Sequence, residues 1–189
     1  MTEEKNKDNL VKSLIVVVLA HGGNDCILLD NNDILSFEDL LSQFDADSFH
    51  LLRNNPKIFI FQACRQIIEI EATDNSAENE SDPTHSTVQQ YSTLSTPKKE
   101  QFHEMYATIK GEAAYRGRDG SKFIRAFILA MCYLQKSNER TIKEVTRYVH
   151  FWANQSTENM ESGQLPTCTQ NLAKDYFFSP RNTNPCCKN

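Results

Sequence analysis

Cys64 and His21 are the two residues of this 189-residue chain whose types and settings could do covalent chemistry together. A thiol near pKa ~8.5 is mostly protonated at neutral pH. A neighbouring imidazolium favours the thiolate and can later hand its proton to a leaving amine. Cys64 sits in Gln62-Ala63-Cys64-Arg65-Gln66, and His21 leads Gly22-Gly23 at a separation of 43 residues. Glycine beside the histidine leaves a backbone N–H open to a substrate. With the N–H of Cys64, the N–H of Gly22 would form an oxyanion hole for a tetrahedral intermediate. Taken alone, Cys64 reads as a buried core thiol and His21 as a hydrogen-bonded structural residue. Their matching positions at the ends of two apolar runs, with glycines alongside, point to a catalytic pair.

Those runs are the elements that must position the pair. Residues 57–61, Lys-Ile-Phe-Ile-Phe, are apolar enough to be a strand covered on both faces, as in a parallel sheet, and they deliver Cys64. Residues 14–20, Leu-Ile-Val-Val-Val-Leu-Ala, form a second such strand and deliver His21. The C-terminal ends of strands are where open α/β sheets place their sites. Phe37, Leu40, Leu41 and Phe44 recur at helical spacing within 34–44, with Ser36 as N-cap, and predict a helix covering the sheet. Asp119-Gly120-Ser121 opens a helix carrying Phe123, Phe127, Met131 and Leu134. Asn138 is the expected cap of another, carrying Ile142, Val145, Val149 and Trp152. Those stripes read as core packing. Residues 73–100 are almost free of apolar side chains and read as a mobile surface segment.

Composition narrows the function classes. With 39% hydrophobic residues the chain can build one real core. A balance of 20 basic and 25 acidic residues, net −5, offers no basic stripe, so no nucleic-acid partner is expected. Six cysteines without C-x-x-C pairs or His/Cys ligand spacing suggest neither a metal site nor a redox dithiol; no cofactor is expected. The run at 14–20 is too short to span a membrane and poorly flanked for a signal peptide, so no membrane association and a cytoplasmic location are expected.

Gln62-Ala63-Cys64-Arg65 meets four of the five positions of the pattern Q-A-C-[RQG]-G, and with the upstream histidine it resembles the caspase family. Later motifs extend the resemblance over nearly the whole chain. Tyr106-Ala107-Thr108, Gly111, Ala114-Tyr115-Arg116, Gly120-Ser121 and Phe123-Ile124 are similar to the loop and helix start of the family's small subunit. Leu165-Pro166-Thr167-Cys168 and 172–177 resemble its closing strand. The resemblance implies an α/β fold with a mostly parallel sheet flanked by helices. It divides the chain into a large-subunit-like segment (1–72) carrying His21 and Cys64, an inter-subunit linker (73–101), and a small-subunit-like segment (102–189).

The roles it implies are Cys64 as nucleophile, His21 as general acid and base, and Gly22 with Cys64 as oxyanion donors. Gln62 and Arg116 would line the S1 pocket for an aspartate, because a buried carboxylate needs a guanidinium fork and further donors. Residues 114–116, with Ala114 and Tyr115, would pair with the substrate backbone as an added strand. Ala113 stands where the family often has a bulky aromatic lining S2, and Lys122 where a tryptophan often shapes S4. These changes suggest a roomier S2 and an acidic P4 preference, although lysines are mostly exposed and Lys122 reads first as a solvated helix residue.

Asp74, followed by Asn75, suits a maturation cut after aspartate. Against the family's length, the large subunit reads as truncated at its start, without a second S1 arginine, which would leave residues 14–20 as an exposed apolar edge. Gln66 replaces the pattern's glycine and would strain the loop by ~1–2 kcal/mol if that position requires positive φ. The expected function is therefore an aspartate-directed cysteine endopeptidase of apoptosis or inflammatory proteolysis, acting on proteins as a homodimer or as a heterodimer with another caspase. The alternative is a catalytically weak or inactive regulator that pairs with a full-length caspase.

Overall fold

A computed structural model describes residues 11–23, 25–30, 33–67, 100–136, 140–155 and 164–178. Asp74, most of the 73–101 linker, Asn138 and the C-terminal tail fall outside the described residues.

The two apolar runs form β1 (Leu14–Leu19) and β5 (Lys57–Gln62), paired in parallel with Leu19 opposite Gln62. Between them lie β2 (Gly22–Gly23), β3 (Cys26–Leu28), β4 (Ile34–Ser36) and the helix α1 (Phe37–Ser42). Strands β2, β3 and β4 make a small antiparallel sheet. Its first turn uses Asp25 at φ 58, a left-handed conformation that Asp tolerates better than most residues and that tight hairpins demand. Ser36 caps α1 as expected, its side chain accepting the N–H of Asp39 at 2.9 Å. The helix is shorter than the 34–44 pattern, because Ile34 and Leu35 pair with β3 instead.

After the linker come β6 (Phe102–Tyr106), the two short strands β7 (Arg116–Gly117) and β8 (Gly120–Ser121), α2 (Lys122–Tyr133), α3 (Ile142–Asn154) and β9 (Thr167–Gln170). The main sheet runs β1-β5-β6-β9, with β9 antiparallel and the rest parallel, so the mostly parallel α/β architecture holds. Ser121 caps α2, as the sequence suggests. Thr141 caps α3, accepting the N–H of Glu144 at 3.1 Å, where Asn138 was the expected cap.

Central β5 is buried on both faces, and its alternation sorts two cores. Ile58 and Ile60 face Phe123, Ala126, Val145 and Val149 beneath α2 and α3. Phe59 and Phe61 face Phe37 and Leu41 of α1, with Phe102 and Tyr106 of β6. On this side Phe59 stacks on Phe102 at 5.5 Å and Phe61 on Tyr106 at 5.1 Å. Ring stacking of this kind adds ~0.5–1.5 kcal/mol per pair beyond area burial. It pins the strand that ends at Cys64. Lys57, at the start of the same strand, is fully buried, its Nζ donating to the carbonyls of Leu52, Asn55 and Glu100 at 2.8, 3.2 and 3.0 Å.

Candidate active site

His21 and Cys64 lie at matching ends of adjacent parallel strands. The ladder continues past β1, with the N–H of Ala20 donating to the carbonyl of Gln62 at 3.1 Å, and the register carried two residues beyond Leu19 and Gln62 sets His21 opposite Cys64. The His21 ring is exposed and its carbonyl accepts the N–H of Leu28 at 2.9 Å. Cys64 is half-buried. Among the described residues the sulfur bonds to the Ala114 backbone: it accepts the Ala114 N–H at 3.3 Å and the thiol lies 3.8 Å from the Ala114 carbonyl. The imidazole is not its partner here. Catalytic hydrogen bonds often tighten only when substrate arrives.

Gly22 is buried against the Cys64 backbone. A Cβ at this position would lie 2.9 Å from the Cys64 carbonyl and 2.5 Å from that of Cys26. Only glycine permits this approach.

Arg65 is the anchor that follows Cys64. Its Nε donates to Asp25 at 2.7 Å, its guanidinium covers the Tyr106 ring at 4.4 Å, and its backbone exchanges bonds with Glu112 and Gly111 at 2.9 Å. Lys110 also reaches Asp25, at 2.8 Å. Burial alone would raise the Asp25 carboxyl, but the bonds to Arg65 and Lys110 outweigh it and hold the group below its ordinary range. The loop after Cys64 is thus tied to the turn after His21 and to 110–112. Gln66 does not take positive φ, so the strain conditional on that geometry does not arise.

Gln62 is buried and accepts a short hydrogen bond from the hydroxyl of Ser121, the cap of α2. Ser121 in turn pairs across the β7–β8 hairpin with Arg116, which is exposed and held by no ion pair among the described residues. Residues 118–119 make the short turn of that hairpin, with Gly120 at φ 94. Tyr115 is positioned by Gln164, whose Oε1 accepts the Tyr115 N–H at 3.1 Å while its Nε2 donates to the Ala107 carbonyl at 2.7 Å. The structure therefore brings Gly22, Cys64 and Ala114 into contact, links Gln62 to Arg116 through Ser121, and ties Tyr115 to Ala107 through Gln164. Asp25, Lys110 and Gln164 were not singled out from sequence. Their partners lie 40 to 85 residues away, and no local pattern announces such pairs.

A model of the caspase domain matches residues 2–177. The chain belongs to the caspase family. This caspase-family chain is 26% identical to caspase-3 of Xenopus laevis over 88% of its own length and 56% of the relative's. It is 26% identical to caspase-3 of Bos taurus, covering 94% of itself and 64% of that protein. With human caspase-14 the identity is 25%, over 75% and 57%. The chain thus spans 56–64% of the length of these curated relatives. A crystal structure of caspase-1 from Spodoptera frugiperda superposes with a TM-score of 0.66 at 22% identity, covering 90% of this chain and 65% of that one. The fold is the one shared with that enzyme.

Among the described residues no helix is long and apolar enough to cross a membrane, and no group of three His, Cys, Asp or Glu could hold a metal ion.

Proposed function

We propose that this chain is an aspartate-directed cysteine endopeptidase. The observation that carries the reading is the placement of Cys64 and His21 at the ends of neighbouring parallel strands, with Gly22 pressed against the Cys64 carbonyl. The Cys64 sulfur attacks the carbonyl carbon after a substrate aspartate, and the oxyanion takes N–H bonds from Gly22 and Cys64. His21 protonates the departing amine, leaving a thioester. Water, deprotonated by His21, then attacks the thioester and releases the acid and the thiol. Gln62 and Arg116 receive the aspartate carboxylate, and 114–116 pair with the substrate backbone once the Ala114 N–H leaves the sulfur. A cut after Asp74, a cytoplasmic location, and pairing with a second copy or another caspase complete the reading; apoptosis or inflammatory proteolysis is the setting.

The test is hydrolysis of an aspartyl fluorogenic peptide by the purified chain beside a Cys64→Ala control. Turnover lost in the control is expected; equal signals in both would overturn the protease. Mass spectrometry after incubation with an active caspase checks the linker, and an intact Asp74-Asn75 bond removes that cut.

A second reading, a regulator that pairs with another caspase, is favoured by edge strand β1. Its outer row, Ile15, Val17 and Leu19, is 42%, 48% and 58% exposed. An inactive chain that binds an active caspase tightly is its expected signature.

A further inference from the structure

Strand β6 sets a histidine into the apolar core beneath α2 and α3. His103 is 1% exposed, with Ile58 paired to it on β5 and Met105 next to it on the same face of β6. Three elements meet at its ring. Nδ1 lies 3.0 Å from Oε1 of Gln170, the residue paired with it on β9, and Nε2 lies 3.3 Å from Oγ1 of Thr146 on α3. An amide oxygen only accepts, so the proton of the neutral ring sits on Nδ1 and leaves Nε2 as an acceptor. In that one tautomer the imidazole fastens β9 to β6 and to α3.

Nothing in this core answers a positive charge. On the same face β5 presents Ile58 and Ile60, β6 presents Met105, and β9 presents Gln170 with Cys168, which pairs with Met105. Helix α3 presents Thr146, with Lys143 a turn before it and His150 a turn after, and Tyr176 packs against the same cluster. Glu104, the one carboxylate of β6, is on the opposite face, where it accepts the Tyr106 hydroxyl at 2.6 Å. Burial therefore holds the His103 imidazole below its ordinary 6.5, and the bond to Gln170 only partly offsets it.

Strand β9 is the element free to respond. It is the outer strand of the main sheet, and three of its four residues are exposed. Its first residue, Thr167, takes the Arg65 guanidinium on its hydroxyl at 3.5 Å, one residue beyond Cys64. The hold on β9 is thus also a hold on the loop behind the site.

We propose that His103 is an acid-sensitive fastener: when its Nε2 takes a proton from solvent, β9 lifts from β6 and α3 and Thr167 leaves Arg65. Once β9 lifts, the ring meets water and titrates at its ordinary value, so below pH 6.5 the opened form binds more protons than the closed one. The hold is complete above that value and weakens as pH falls below it.

Hydrogen exchange of the full-length protein, followed by mass spectrometry and corrected for the intrinsic pH dependence of amide exchange, tests this without turnover. Between pH 7.5 and pH 5.5 a group titrating near 6.5 in the opened form gives up to about tenfold more opening. An increase of about threefold to tenfold is expected in β9, with less than about twofold in β5. His103→Gln keeps a donor for Gln170 and an acceptor for Thr146 but does not titrate, and its ratio is expected to be about one. His150→Gln, which alters the other histidine of this core, is expected to keep the wild-type ratio. An increase in β9 smaller than about threefold, an equal increase in β5, a wild-type ratio in His103→Gln, or its loss in His150→Gln overturns the proposal. If His103→Gln does not fold, the contrast between β9 and β5 in wild type, together with His150→Gln, still decides.

Discussion

Gly22 has the tightest steric requirement in the site. Both oxygens that an added Cβ would strike, on Cys26 and Cys64, belong to backbone that cannot swing aside. Gly22→Ala is expected to displace the Cys64 segment, cost ~1–3 kcal/mol of stability, and lower kcat/KM at least tenfold. Thermal unfolding and peptide hydrolysis check both numbers, and an alanine variant matching wild type in each would remove Gly22 from the site. Asp25 gives a pH prediction. Its folded pKa lies below the ordinary 3.8, so its contribution is present above that value and lost as pH falls through the folded one. Asp25→Asn should cost about 1.5 kcal/mol at pH 7, the low end for charged hydrogen bonds because the carboxyl is partly exposed. The gap in Tm between variant and wild type should shrink below about pH 4 as the wild-type carboxyl is protonated. A gap constant with pH would contradict the assignment. At this scale the sequence already marked Cys64, His21, Gly22, Gln62 and Arg116, because each sits in a local motif. Asp25 and Gln164 act through partners distant in sequence, and Lys122 was misjudged because its type says surface while the packing of α2 on α3 buries its tip.

Among elements, the segment 114–116 depends on one side chain from another part of the chain. Gln164 satisfies both the Tyr115 N–H and the Ala107 carbonyl from a fully buried position. Gln164→Ala removes the side-chain bonds to the Tyr115 N–H and the buried Ala107 carbonyl, and we expect ~1–3 kcal/mol of destabilisation together with a several-fold rise in KM and a smaller change in kcat. Loss of stability with unchanged KM would show that Gln164 braces the fold without shaping the docking edge. The long elements were legible: β1 and β5 from their apolar runs, α2 and α3 from helical spacing that the packed residues obey. The small sheet of β2, β3 and β4 was not. Strands of two or three residues carry too little periodicity to be read, and pairing to β3 took Ile34 and Leu35 from the helix their spacing implied.

For the whole molecule, a sheet covered on both faces at β5 ends in an edge strand, β1, whose outer row is apolar. Such an edge invites pairing with another chain. Replacing Ile15 and Val17 with threonine keeps a β-branched shape and removes apolar surface. Sedimentation at increasing concentration is expected to show weaker self-association for this double variant, with unfolding nearly unchanged; identical sedimentation would acquit the edge. The Ala114 amide held on the Cys64 sulfur has a kinetic consequence. It competes with every incoming electrophile, so the alkylation rate of Cys64, followed by cysteine-resolved mass spectrometry against exposed Cys132, becomes a clock for how often the docking edge lets go. Slow labelling that accelerates when an aspartyl peptide draws Ala114 away would mean that the substrate itself unlocks the nucleophile.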